Sequence, residues 1–248
     1  MNEKSRVKGT YYDKVYFTNR DYDYESKYPA FMLMAQYLVA AYHPKKTLDI
    51  GSGKGAFFVR AMREFNKDAY GIDISEYAIS SAPKEIKKRL YQVDANIEDL
   101  PFENDSFDMV TAFRLFEHIE NLTHLTIEIR RILNKNGILF ITVPTLWNIK
   151  KGKILKMLFP VFKEISPSFD RPSLNCSVLT HSKWIKHFED QEFIYLGRLP
   201  RGLWKNIVST PKPTTKIGYI LKQSGLNFIR EEIAFYFDWF TPFVFKKK

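Results

Sequence analysis

Between residues 45 and 144 the chain alternates short apolar runs with stretches of helical period, and few architectures accept that pattern. The runs are "TLDI" (47–50), "AYGIDIS" (69–75), "YQVDA" (91–95), "FDMVTAF" (107–113) and "ILFITVP" (138–144). After the first, Phe58, Ala61, Met62 and Phe65 recur at the spacing of one helix face. Before the last, Leu122, Leu125, Ile129, Ile132 and Leu133 do the same, and "NKNG" supplies a C-terminal stop. A further helix is expected over 75–89, and a mostly buried one over 29–43, ending near His43-Pro44. Strands separated by helices of this length make βαβ units, hence a parallel sheet with helices on both faces. Such sheets bind ligands at the carboxyl ends of their strands. The residues that follow each run are therefore the ones to read for chemistry.

Behind the first run comes "DIGSGKG", with Gly51, Gly53 and Gly55 at every second position. Glycine between strand and helix lets a ligand approach the backbone, because no Cβ intervenes. The spacing is not G-x-G-x-x-G, and no G-x-x-x-x-G-K-[ST] run exists, so neither phosphate-cradling fingerprint is present. Asp49 would repel a phosphate at this turn and suits a ligand carrying positive charge. Asp73 ends the second run and Asp94 follows the third. Singly, Asp73 could cap a helix together with Ser75 and Asp94 could begin a turn. Three acids behind three separate strands favour a ligand.

These residues resemble the motifs of class I S-adenosylmethionine-dependent methyltransferases over roughly residues 45–144. "LDIGSGKG" is similar to the family's D-x-G-x-G-x-G loop, "GIDIS" to its second motif, and "VDANIEDLPFENDSFDMV" to its third-motif region. The resemblance implies an α/β, Rossmann-like, doubly wound fold: a mostly parallel seven-stranded sheet with helices on both faces. It also implies S-adenosyl-L-methionine as cofactor, held by Asp49, Gly51, Ser52, Gly53, Gly55, Asp73, Ile74, Asp94, Ala95 and Phe113. In that family the residue matching Asp73 accepts both ribose hydroxyls. The residue matching Asp94 takes the adenine amino group, and the one matching Ala95 offers backbone contacts to the ring. "FRLFEHI" (113–119) matches the segment that closes the pocket over the methionine portion. Methyl transfer needs alignment, exclusion of water and, for a hydroxyl acceptor, removal of a proton. His118 is the first candidate for that base and Glu117 the neighbouring one, although the same two residues could simply shape the pocket. His181 and His187, six apart, suit packing or surface roles, and no metal pattern is present.

Flanking parts set the expected organisation: a cap over the cofactor site in 1–44, the cofactor-binding core in 45–144, and an acceptor-side portion with the last strands in 145–248. "YYDKVYF" (11–17) resembles the opening of methyltransferases associated with cell-surface glycan synthesis, and Tyr11, Tyr12, Tyr16 or Phe17 could fold over the cofactor. The +10 formal charge lies entirely in 145–248, which holds 18 Lys/Arg against 8 Asp/Glu, together with all four tryptophans. "TLWNIKKGKILKMLFPVFKEISP" (145–167), with five lysines, could be a lid or a patch on an anionic membrane. "HSKWIKHFEDQEFIYLGRLP" reads as a helix and a strand, and the end of the chain as a final strand.

One cysteine, Cys176, fits a reducing compartment, and neither a secretory leader nor a spanning run is evident, so a cytoplasmic location is expected, with peripheral membrane contact left open. The expected activity is methyl transfer to a small-molecule or glycan acceptor, at oxygen. A membrane-peripheral lipid or quinone methyltransferase is the alternative. A nucleic-acid substrate is disfavoured by the absence of an N/D-P-P-Y/F tetrad and of any RNA-binding module. A cofactor-fold protein without catalysis is the last reading, and the intact glycines and acids speak against it.

Overall fold

The computed structural model describes residues 9–19, 28–145, 177–199 and 241–248. The lysine-rich stretch from 146 and the residues of the C-terminal portion before 241 therefore lie outside the described residues, as do Cys176, Trp147, Trp204 and Trp239. The strands are β1 (Lys46–Ile50), β2 (Asp68–Asp73), β3 (Leu90–Gln92), β4 (Phe107–Phe113), β5 (Leu133–Val143), β6 (Phe193–Gly197) and β7 (Thr241–Lys247). The helices are α1 (Lys14–Asn19), α2 (Tyr28–Tyr42), α3 (Phe57–Glu64), α4 (Glu76–Ser80), α5 (Lys84–Lys87), α6 (Leu122–Ile132) and α7 (His181–Glu189).

All seven strands join one sheet in the order β3-β2-β1-β4-β5-β7-β6. The pairs from β3 to β5 are parallel, while β7 runs antiparallel between β5 and β6. Strand order reverses between β1 and β4, and a crevice for a ligand belongs there. The mostly parallel Rossmann-like sheet expected from the sequence is what forms.

Period-2 alternation sorts the strand side chains onto two faces. Leu48, Ile50, Val110, Ala112, Leu139, Ile141, Phe243 and Phe245 pack against Leu125, Ile129 and Ile132 of α6 and Trp184 and Phe188 of α7. Met109, Phe140 and Val244 meet Met34, Ala35 and Leu38 of α2 and Phe58, Ala61 and Met62 of α3. Both faces are covered, which is why the central strands read as unbroken apolar runs.

Several element expectations change in detail. The helix expected over 75–89 is two short helices, because Pro83 has no N–H and its φ of −52°, ψ of 140° break the first one off. β3 stops at Gln92 because Asp94 turns the chain, its Oδ1 accepting from the Asn96 N–H at 3.1 Å. α2 is less buried than expected: only Met34, Ala35 and Leu38 are fully covered, and Leu33 is 37% exposed. The "NKNG" stop is part of β5, with Asn136 in the left-handed region (φ 66°) and Asn134 Nδ2 donating to Asp108 Oδ1 at 2.9 Å.

Candidate active site

The glycine turn is sewn to the end of β2. The N–H groups of Gly51 and Ser52 both donate to the Ile72 carbonyl, at 2.8 and 2.9 Å. The Gly53 N–H donates to Asp73 Oδ2 at 2.8 Å, and the Ser75 N–H to Asp73 Oδ1 at 2.8 Å. Gly51 and Gly55 have φ of 75° and 90°, where a side chain is strained. A Cβ at Gly51 would also approach Leu115 Cδ1 to 3.1 Å, and one at Gly55 would come within 2.9 Å of Phe57 Cζ. The requirement extends to β2: a Cβ on Gly71 would stand 2.9 Å from Ser52 Cβ, so this glycine makes room for the turn. Ser52 Oγ is buried and has no hydrogen-bond partner among the described residues. A buried hydroxyl without a protein partner calls for one from a bound molecule or an ordered water.

Two acids lie at the centre of this end of the sheet. Asp49 is buried under the turn, its Oδ1 accepting from the Thr111 hydroxyl at 2.7 Å. Burial pushes its carboxyl up to about 8; the Thr111 bond opposes the shift and the nearby Asp73 adds to it. Asp73 is half-buried, and desolvation raises its pKa against the pull of the Ser75 and Gly53 N–H donors. Both are acids that a cation or a set of hydroxyl donors would help to ionise. Asp94 opens the turn after β3, and Ala95 beside it is buried. Ile74 follows Asp73, and its carbonyl accepts from Gln92 Nε2 at 3.3 Å.

The expected base candidates separate. Both sit in a 3₁₀ turn, Phe116–His118, just beyond β4. Glu117 is 2% exposed, burial raises its pKa, and its Oε2 has no hydrogen-bond partner among the described residues. His118 is partly exposed, with Nε2 3.9 Å from Glu117 Oε1. Phe113 closes β4 in an aromatic cluster, its ring centroid 5.0 Å from Phe58, 5.4 Å from Phe31 and 5.5 Å from Phe140. His187 bonds Thr126 Oγ1 at 2.9 Å and His181 packs on the Phe243 ring at 4.8 Å, so both serve helix packing. Among the described residues no group of three or more His, Cys, Asp or Glu could hold a metal ion.

The N-terminal segment reaches the same edge of the site. The Ser75 hydroxyl donates to the Tyr12 carbonyl, and Phe17 packs on Tyr77 with centroids 5.8 Å apart. Gly9 lies so close to the Ile74 carbonyl that a Cβ would come within 2.5 Å of it. Thr111 was absent from the sequence reading. Its signal was a polar residue at the centre of a strand, "FDMVTAF", whose other polar residue, Asp108, lies near the strand's start.

Residues 48–141 match the family model described as "Methyltransferase domain". Residues 48–141 thus carry a methyltransferase domain. Its cofactor is S-adenosylmethionine, and the site fits that group: acids where cationic and hydroxyl groups would lie, a turn open to close approach, and no phosphate cradle. An uncharacterized protein of Methanocaldococcus jannaschii is 38% identical over 109 residues, which are 44% of this chain and 43% of the relative. The ubiquinone biosynthesis O-methyltransferase of Pelagibacter ubique is 31% identical over 98 residues, 39% of this chain and 40% of that enzyme. The chain thus spans less than half the length of either relative. Among solved structures, the geranyl diphosphate C-methyltransferase of Streptomyces coelicolor A3(2) superposes with a TM-score of 0.57 at 16% identity. That superposition covers 87% of this chain and 77% of the enzyme, and it speaks for the fold of the methyltransferase domain alone. No helix among the described residues is long and apolar enough to cross a membrane.

Proposed function

We propose that the chain transfers a methyl group from S-adenosylmethionine to an oxygen of a small-molecule acceptor, saccharide-like in the leading reading. One observation carries it: Asp49 within β1, Asp73 at the end of β2 and Asp94 just after β3 belong to three neighbouring strands beside a turn that needs glycine. When bound, the cofactor supplies a methyl group already activated on a sulfonium. Asp73 would accept the ribose hydroxyls on the lone pairs that Gly53 and Ser75 leave, and Asp94 and Ala95 would hold the adenine edge. Asp49 would face the ammonium, and the Ser52 hydroxyl would find its partner on the ligand. Residues 9–19 would act as a cap, since they already dock on Ile74, Ser75 and Tyr77.

His118 is the base in this reading. It is partly exposed beyond β4 and would take the acceptor hydroxyl's proton, the methyl–sulfonium bond breaking to leave a neutral thioether as the methyl passes to oxygen. Glu117 is too deeply buried to reach bulk acceptor and would act through the histidine, 3.9 Å away. A general base contributes about 10²–10⁴ in rate, so His118→Ala should fall by that factor while cofactor binding persists.

The saccharide acceptor is supported by the "YYDKVYF" opening at the docked segment. A quinone or other isoprenoid acceptor is the second reading, favoured by the similarity to the P. ubique enzyme. The test is methyl transfer from radiolabelled S-adenosylmethionine into an extract of the source organism, then separated into small molecules, glycans, lipids, RNA and protein. Label in glycan or sugar-nucleotide fractions supports the leading reading. Label confined to lipid supports the second, and label confined to RNA or protein overturns both.

A further inference from the structure

Thr111 sits in the middle of β4 and is completely buried, flanked by Met109, Val110, Ala112 and Phe113, with the strand's other polar residue, Asp108, nearer its start. A valine has the same shape and β preference and leaves no hydroxyl to desolvate. The hydroxyl therefore needs a reason. In register Thr111 is the residue directly opposite Asp49 across the β1–β4 pair. Its single proton goes to Asp49 Oδ1 at 2.7 Å, with the Leu48 carbonyl a longer 3.4 Å away. Asp49 follows Leu48 and precedes Ile50, both of which pack on the α6/α7 face, so Asp49 and Thr111 share the opposite face, beneath the glycine turn. The other titratable group near Asp49 is Asp73, each of whose oxygens accepts one N–H, from Gly53 and from Ser75.

We propose that Thr111 is a positioning residue for the amino-acid end of the cofactor: it pins one carboxyl oxygen of Asp49 so that the remaining acceptor capacity is held for the ligand's ammonium. The proposal rests on the cofactor reading above. A hydroxyl on the neighbouring strand can do this because the two Cβ atoms of a directly opposed pair lie close together and point to the same face. Without the hydroxyl, Asp49 would be free to rotate, and part of the binding free energy would go into fixing it.

Two probes separate this role from a merely structural one. S-Adenosylhomocysteine carries the ammonium. 5′-Methylthioadenosine keeps the adenosine and the sulfur but has no amino-acid end. Calorimetric titration of the purified full chain with each should give this result: Thr111→Val weakens S-adenosylhomocysteine by about tenfold to a hundredfold, the range of a hydrogen bond to a charged group, and shifts 5′-methylthioadenosine by less than twofold. Thr111→Ser, which keeps the hydroxyl, restores the affinity. If Thr111→Val does not fold, Thr111→Cys, of similar size and a weak donor, takes its place with the same expectation. Equal losses for both probes, or no loss for either, would overturn the role. A wild-type chain that binds neither probe would instead overturn the cofactor reading beneath it.

Discussion

The two halves of the sheet are built from different materials. On the β3-β2-β1-β4 side, the strand ends carry Asp49, Asp73 and Asp94, the backbone turns through positive φ at Gly51, Gly53, Gly55 and Ala56, and hydrogen bonds run from loop to carboxylate. Rings pack on both sides, Tyr70, Phe102 and Phe107 among them on the first, but on the β5-β7-β6 side they make the main contacts with α7. Phe188 lies 4.5 Å from Phe245, Trp184 stacks with Phe188 at 6.4 Å, and Phe116 meets both from the loop beyond β4. One side places polar groups at a cost in desolvation and backbone strain. The other provides the apolar burial that lets the first side hold those groups in place. The two should therefore respond to mutation in different currencies, affinity on one side and stability on the other.

The strongest test sets one substitution from each side against the other. Asp73→Ala removes the acceptor of two backbone N–H groups and of the proposed ribose contact, so cofactor affinity should fall by about a hundredfold or more, with a stability loss of about 1–3 kcal/mol. Trp184→Ala removes a fully buried indole whose Nε1 donates to the Pro144 carbonyl at 3.3 Å. It should cost about 3–5 kcal/mol of stability and, at a temperature where the variant is folded, leave affinity within a factor of about two. Chemical denaturation and calorimetric titration of both variants read the two quantities separately. Comparable affinity losses in both would mean that the halves are not independent.

The ease with which each half could be read from sequence follows the same division. β4 was expected at 107–113 and forms as Phe107–Phe113, because an apolar run flanked by turns has one reading once helices cover both faces. The glycine turn was legible because the positive φ at Gly51, Gly53 and Gly55 is a backbone requirement that glycine meets. Thr111 was not, since a threonine in a strand satisfies β propensity without signalling a partner, and its partner is 62 residues away. Glu117 and His118 are adjacent in sequence, yet the turn sends one inward and leaves the other partly exposed, a difference that spacing does not carry. The role of Gly71 was hidden likewise: the need for a bare Cα comes from Ser52 on another loop.

A further effect is expected from pH. Asp49 titrates near 8 in the fold against 3.8 when unperturbed. An acid whose pKa is raised by folding contributes stability that is complete below its unfolded pKa and is lost as pH rises toward the folded one. Between about pH 4 and 8 this group alone should lower stability by at most about 1.4 kcal/mol per pH unit, and Asp49→Asn should flatten that slope. A cationic ligand reverses the preference by favouring the ionised form, so binding below pH 8 should release up to about one proton from Asp49. Titration in two buffers of different ionisation enthalpy measures the release. Asp49→Asn removing none of it would mean that another group supplies the proton.

The smallest effect sharpens the comparison at the opposite end of the sheet, where the halves touch through charge. Lys247 of β7 reaches across β5, donating to the Leu133 carbonyl and pairing with Asp105 at 2.7 Å in the turn before β4. Asp105 is itself held by its N–H to the Arg131 carbonyl at 3.0 Å. The lysine is mostly covered and the aspartate largely open to water, so screening takes most of the attraction, and Lys247→Ala should cost about 0.5–1 kcal/mol. Part of that loss should disappear in high salt, because one partner is exposed. Cofactor affinity should not change, since the contact lies at the amino-terminal side of β4, away from the glycine turn. If denaturation in low and high salt gives the same loss, the lysine acts through its bond to the Leu133 carbonyl and its packed stem, and the link between the halves is one of packing after all.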